Sequence, residues 1–101
     1  FECQINNTYH DPKKTASIYG VIDCLEAPAN DDEWFSLYIK VNGNHVITKV
    51  NDKIVADWTQ PADWKKGANF ERILGDGTFA LQGHDPGSTV LFRNLLVKRL
   101  P

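Results

Sequence analysis

At 101 residues, with 42% hydrophobic and 24% charged side chains, the chain has the composition of one soluble globular domain, yet it is short for a two-sheet sandwich that also carries a cleft. A net charge of −2, with no cluster of Lys and Arg larger than a pair, argues against electrostatic binding to nucleic acid or to an anionic membrane. No apolar run approaches the length of a membrane span.

Residues 1–6 alternate strictly, Phe1, Cys3 and Ile5 against Glu2, Gln4 and Asn6, which is the pattern of a half-buried strand. Phe1 already lies inside that pattern and no signal peptide precedes it, so the sequence reads as a processed or truncated product. Cys3 and Cys24 could form one disulfide or remain two buried thiols; the place of Cys3 on the apolar side of its strand favours packing. A polar loop follows over residues 7–15, with Asp11-Pro12 as a turn signal and Lys13-Lys14 as a solvated pair.

Residues 17–25 read as a second strand, in which Gly20 marks a bulge or a close approach of something to the backbone. The acidic run Asn30-Asp31-Asp32-Glu33 could offer oxygen ligands to calcium, but without a full loop of spaced ligands a solvated turn is the simpler reading. Residues 34–41 place Phe35, Leu37, Ile39 and Val41 on one face. Asn42-Gly43-Asn44 then turns the chain into residues 45–50, and Asn51-Asp52 turns it into residues 53–58. Short Asn/Gly/Asp turns between such runs predict an antiparallel meander, with His45 at its surface.

Periodicity disappears over residues 59–76, where Pro61, Trp64, Lys65-Lys66 and Gly67 mark a long connection that covers or binds something. Trp64 could stack against a sugar ring or cap the core. Residues 77–100 read as two further strands around an Asp85-Pro86-Gly87 turn, with Phe79 and Leu81 on one face and Gln82 and His84 together on the other. Six or seven strands without a helix of normal length predict an all-β antiparallel sandwich in a single domain, residues 1–101.

Two pairs could carry chemistry: Glu2 with Gln4, and Gln82 with His84, each two positions apart on one strand face. Were their strands to share a sheet, a carboxylate, an imidazole and two amides would converge, a set able to hold sugar hydroxyls and to supply an acid and a base. Ordinary solvent-facing polar residues are the competing explanation. Phosphate-loop, HExxH, CxxC and nucleophile-elbow patterns are all missing.

Phe1-Glu2-Cys3-Gln4-Ile5, Ile18-Tyr19-Gly20, Glu33-Trp34, Val50-Asn51-Asp52, Leu81-Gln82-Gly83-His84-Asp85 and Leu91-Phe92-Arg93-Asn94-Leu95 occur in the order and at the spacing of one family. In these residues the chain resembles the C-terminal half of a 3-keto-disaccharide hydrolase domain, a family formerly known as a domain of unknown function. It departs from the family pattern at Lys49, where Trp is usual, at Asp52, where Gly is usual, and at Gly83, where Asp is common.

The resemblance implies an incomplete concanavalin-like jelly roll in a secreted or periplasmic bacterial protein that acts on or binds carbohydrate. It implies cleavage of the glycosidic bond of a sugar oxidised at carbon 3, by base-assisted elimination and hydration. Glu2 and His84 are then the candidates for base and acid, in either order, with Gln4 and Gln82 orienting hydroxyls. A divalent metal on Glu2 and His84 could instead act as the Lewis acid, although no cofactor is certain. Tyr19 and Trp64 are candidates for stacking on the sugar. Arg93 matches the family's ending, or serves as a structural ion-pair partner. A non-catalytic carbohydrate-binding or interaction module is the alternative function, and a half-sandwich that self-associates or pairs with an N-terminal half is the third expectation.

Overall fold

A computed structural model describes residues 1–65 and 72–101, so Lys66 and Gly67 of the expected long connection lie outside the described residues. Its regular part is a three-stranded antiparallel sheet in the order β1-β2-β3, formed by Leu37–Asn42 (β1), His45–Val50 (β2) and Lys53–Thr59 (β3). This is the meander expected from the sequence, and both of its turns have a local cause. Asn42 pairs with His45, which leaves a two-residue loop whose first member, Gly43, has φ +59°. A tight hairpin of that kind calls for a residue without a Cβ at this position. In the second turn Asn51 and Asp52 have φ of 48° and 66°, the paired left-handed conformation whose twist matches the flanking strands. Asp52 therefore does the work of the family's glycine, because a short polar side chain tolerates this region. The Asn51 side chain also accepts a hydrogen bond from the Ser36 N–H at 2.9 Å, tying the turn to the entry of β1.

Register puts Leu37, Ile39 and Val41 on the same face as Val50, Thr48 and Val46. Ala56 and Trp58 extend this face into β3, and Ile18, Val21 and Leu74 pack with them and Val46 to form the core. Coverage is uneven. Ile18 is 2% exposed, whereas Ile39 and Val41 remain 50% and 49% exposed on the same face as the core. The sheet is thus sealed over β2 and β3 and open over β1.

The N-terminal segment lies on this sheet without joining it as a long ladder. A single antiparallel bridge joins Cys3 to Ile18, extended by hydrogen bonds from the Gln4 N–H to the Ser17 carbonyl and from the Tyr19 N–H to the Glu2 carbonyl, each 3.0 Å. The expected strand over residues 17–25 instead folds back on itself. Ile18 bridges Ile22 around Gly20, whose φ is +72° and whose N–H donates to the Asp23 carboxylate. The two strands expected within residues 77–100 do not form either. The turn between them does, with the Ser88 N–H donating to the Asp85 carbonyl at 3.2 Å. Alternation makes a segment competent for a ladder, but the ladder itself needs a neighbour to accept its hydrogen bonds. Phe79, Leu91, Leu95, Leu96 and Val97 accordingly stay exposed, Leu96 at 91%. Among the described residues the architecture is all-β, with one open sheet and no helix.

Thr48 joins the sheet to the overlying segment. Its hydroxyl is fully buried, donates to the Ala16 carbonyl at 2.7 Å and accepts from the Ala56 N–H at 3.1 Å. Thr48→Val keeps the shape and strands both backbone groups, so urea unfolding should show a loss of about 1–3 kcal/mol, the usual cost of unsatisfied buried polar groups. Thr48→Ser should retain most of that difference.

Cys3 and Cys24 are both free thiols. Burial, reinforced by the Glu2 carboxylate, pushes the Cys3 thiol up to about 12. Since the thiolate is the reactive form, iodoacetamide at pH 8 should modify Cys3 at least about tenfold more slowly in the folded chain than in urea, as followed by mass spectrometry of the peptide that carries it.

Candidate functional site

The bridge between Cys3 and Ile18 decides which side chains meet. Residues opposite each other in an antiparallel pair share a face, so Glu2 stands with Tyr19 and Gln4 with Ser17. Beneath them, the polar loop is wound around one buried side chain. Asn6 donates from its amide nitrogen to the Asp11 and Lys13 carbonyls at 2.9 and 3.0 Å and accepts from the Tyr9 N–H at 2.9 Å. Its own N–H donates to the Thr15 hydroxyl at 2.9 Å. The loop therefore has a fixed shape and carries Asp11 to Tyr19, whose phenol donates to the carboxylate at 2.8 Å.

The Lys13 N–H and the Tyr19 hydroxyl, both donating to it, hold Asp11 below the usual carboxylate range, while the same carboxylate raises the Tyr19 phenol above its ordinary value. Lys13 Nζ lies 4.2 Å from the centroid of the Tyr19 ring, and the Arg72 guanidinium lies 5.7 Å from it. Tyr19 is thus held in place by its hydroxyl and flanked by two cations.

His84 approaches from the other end of the chain. It sits just before the turn, where Asp85 Oδ1 is 2.8 Å from its Nδ1. A neutral imidazole donating from Nδ1 presents Nε2 as a base, and a protonated one presents Nε2 as an acid. The hydrogen bond and charge of Asp85 raise the His84 pKa, and the Glu2 carboxylate adds to the rise. Glu2 also contributes to the raised pKa of Tyr19. The Glu2 charge therefore acts in the same direction on His84 and on Tyr19; Glu2 faces Tyr19 across the bridge, and His84 has Asp85 as its hydrogen-bond partner. Gln82 is exposed two positions before His84, and the half-buried Gln4 lies two positions after Glu2.

The remaining candidates are placed otherwise. The Trp64 indole N–H donates to the Arg72 carbonyl at 2.6 Å, and its ring meets Trp58 edge-on with centroids 5.0 Å apart. Trp58 in turn contacts Phe1 at 5.6 Å. Trp64 is thereby built into an aromatic cluster at the edge of the core. Arg93 stands over the Trp34 ring, 4.0 Å from its centroid. That is a cation–π contact, where an ion pair was the structural expectation.

A hollow of about 510 Å³ is lined by residues that include Asn44, Gln60, Leu74 and Asp76, and by none of the candidates. Its size alone does not make it the site, because no acid–base pair faces it. Among the described residues, no three of His, Cys, Asp and Glu converge as metal ligands.

Asp85 and Asp11, read from the sequence only as turn residues, are the carboxylates that tune His84 and Tyr19. Arg72 carried no sequence signal of its own. The signal was at Gly20, where a close approach to the backbone was expected, and the approaching group is the Arg72 guanidinium.

The structure so far defines an all-β domain that presents a carboxylate, an imidazole and a phenol from two distant parts of the chain. The model of the 3-keto-α-glucoside-1,2-lyase-like domain matches residues 1–98, and the chain belongs to that family. Its role is therefore tied to carbohydrate. Neither a search of curated proteins nor one of solved structures finds a match.

Because Asp85 and Glu2 both favour the imidazolium, removing either should lower the midpoint of His84. NMR titration of the ring protons should show a downward shift in Asp85→Asn and a smaller one in Glu2→Gln. The sign for stability follows from the raised pKa. The pairing contributes fully below the unfolded-state pKa of histidine and is lost as the pH rises through the raised folded value.

Proposed function

We propose that the domain cleaves the glycosidic bond of 3-keto-glycosides by elimination across C1 and C2, followed by hydration. The observation that carries this reading is the family match over residues 1–98, supported by Glu2 facing Tyr19 across the bridge and by His84 hydrogen-bonded to Asp85. A ketone at C3 acidifies the C2 proton. A base removes that proton, the electron pair forms the C1–C2 double bond, and the C1 oxygen leaves with a proton from an acid. Water then adds back, its hydroxyl to C1 and its proton to C2. One base and one acid suffice for the cycle, since the group protonated in the first half returns its proton in the second.

Glu2 is the base in this scheme and His84 the acid, because the raised pKa of His84 keeps it protonated at higher pH. Gln4 and Gln82, one beside each member of the pair, orient sugar hydroxyls. Tyr19 offers a ring and a hydroxyl to the sugar; Trp64 and Arg93 contribute through the aromatic contacts they already make. Glu2 and His84 also suit a divalent cation, for which water or substrate oxygens would complete the coordination; the bound cation would polarise the ketone.

The same reading places the chain in a concanavalin-like jelly roll, as the C-terminal part of the domain, in a bacterial protein that works outside the cytoplasm. The half-exposed Ile39 and Val41 on the core face, and the unpaired apolar residues of the C-terminal stretch, support a second sheet supplied by an N-terminal half or by a second copy. Sedimentation of the isolated chain should accordingly show self-association that falls when an N-terminal half is supplied.

Release of the leaving group from a 3-keto-glucoside, and from the same glucoside unoxidised, tests the activity. Only the keto sugar should turn over, and a chelator shows whether a metal takes part. Glu2→Gln should lower kcat by about 100-fold or more while leaving ligand affinity near that of the wild type. A wild-type chain that binds the sugar without turning it over would establish the non-catalytic binding module instead.

A further inference from the structure

Arg72 occupies a notch that the proposed reaction has not yet used. A Cβ added at Gly20 would lie 2.8 Å from Cζ, 2.9 Å from Nη2 and 3.0 Å from Nη1 of Arg72. Three nearly equal distances mean that the guanidinium plane rests face-on against the glycine. A side chain at this position would push the guanidinium out of that place, and the φ of +72° at Gly20 independently disfavours any other residue.

The arginine is held from several sides. Its guanidinium lies beside the Tyr19 ring, its carbonyl accepts from the Trp64 indole at 2.6 Å, and two residues on the Leu74 N–H donates to the Gln60 side chain at 2.9 Å. Tyr19, on which it leans, is the residue hydrogen-bonded across the bridge to Glu2. A permanent positive charge is therefore fixed one residue from the position facing the proposed base. A surface arginine that only solubilises the chain needs neither the notch nor the clamped backbone.

We propose that Arg72 is a catalytic residue whose guanidinium takes up the negative charge that develops on the C3 oxygen as C2 loses its proton. This rests on the elimination reading above and deepens it. When the C2–H bond breaks, its electron pair is delocalised onto the ketone oxygen as an enolate; it returns to carbon as the bond to the C1 oxygen breaks. Carbon, oxygen and hydrogen balance without any redox partner, and the enolate is the one point at which a full charge appears on substrate. A guanidinium stays charged throughout the working pH range, and a preorganised donor aimed at developing charge is worth about 100-fold or more in kcat. Gly20 and Tyr19 are then positioning residues that set the plane and height of the guanidinium.

Kinetics on a 3-keto-glucoside test the assignment. Arg72→Ala should lower kcat about 100-fold with KM changed less than threefold, and added guanidinium chloride at tens of millimolar should restore part of the loss where sodium chloride does not. An unchanged kcat, or a loss that guanidinium does not restore in a variant that melts like the wild type, overturns the proposal. Should Arg72→Ala fail to fold, Arg72→Lys decides, because it keeps the charge and loses the planar fork. A kcat lowered about tenfold in a folded Arg72→Lys protein supports the role, and a wild-type kcat overturns it. A wild-type chain inactive on the keto sugar overturns the elimination reading and this proposal together. An active wild type with unaffected Arg72 variants overturns this proposal alone.

Discussion

The buried hydroxyl of Thr48 is the joint on which the remaining geometry depends. It lies at the centre of the middle strand, beside the irregularity in register between β2 and β3, and it satisfies a carbonyl above the sheet and an N–H within it. The carbonyl belongs to Ala16, which adopts φ 69°, a left-handed conformation that costs an L-residue roughly 1–2 kcal/mol. That strain lets Ala16 point its carbonyl down to Thr48 while its N–H donates to the Gln4 carbonyl at 2.8 Å. One residue earlier the Thr15 N–H donates to the Asn6 carbonyl, and one residue later Ser17 accepts from Gln4. The strained alanine thus fixes the segment that carries Glu2 and Gln4 in register with the segment that carries Tyr19. Through Thr48, Ala16 and Gln4 the sheet, the overlying loop and the N-terminal segment are joined by hydrogen bonds.

Above this joint, charge decides the character of the site. Asp11 receives hydrogen bonds from a backbone N–H and from a phenol, and both favour its ionised form. It stays an anion and anchors the Tyr19 hydroxyl. The ring carries the opposite influence, with Lys13 and Arg72 close to it. Tyr19 therefore has an anion at its hydroxyl and two cations close to its ring. Glu2 lies opposite it across the bridge, and His84 is hydrogen-bonded to Asp85. Such an arrangement suits a reaction in which a proton leaves one carbon while negative charge appears two bonds away.

The meander was legible because its causes are local. Residues in the two turns must adopt positive φ, the sequence supplies Gly, Asn and Asp at those points, and the alternating runs between them need only each other. The N-terminal set was legible for a similar reason, since alternation alone places Glu2 and Gln4 on one face. What could not be read is what depends on distant partners. Residues 77–100 alternate as a strand does, but no sequence pattern states which neighbour will accept the hydrogen bonds, and in the structure only the Asp85–Ser88 turn survives. Residues 17–25 failed for another reason. Gly20 was read as a bulge or a close approach within a continuing strand; the close approach is there, made by Arg72, but the chain reverses at this point and the Gly20 N–H finds the Asp23 side chain. Trp64 left two alternatives open, and the contact with Trp58 favours the cap. Arg72 was invisible because nothing in its own neighbourhood signals the notch, which belongs to a residue far earlier in the chain.

The composition of the site also explains why so small a core can matter to chemistry. Glu2 and His84 stand near opposite ends of the chain, so no local element holds them together. The sheet supplies rigidity only over β2 and β3, where Ile18, Val46 and Ala56 are sealed, and Glu2 is coupled to that sealed region through the Ile18 bridge. His84 reaches it through a stretch with exposed apolar residues and no ladder. The two members of the proposed acid–base pair are therefore held with unequal stiffness: the base by a buried bridge, the acid by a turn and one carboxylate. Any element that covers Ile39, Val41 and the C-terminal apolar residues would stiffen the histidine arm far more than the glutamate arm. Its energetic effect would be felt first in the distance between the two groups, because apolar burial of that surface costs the site no polar partner and gives the C-terminal stretch the ladder that it lacks here.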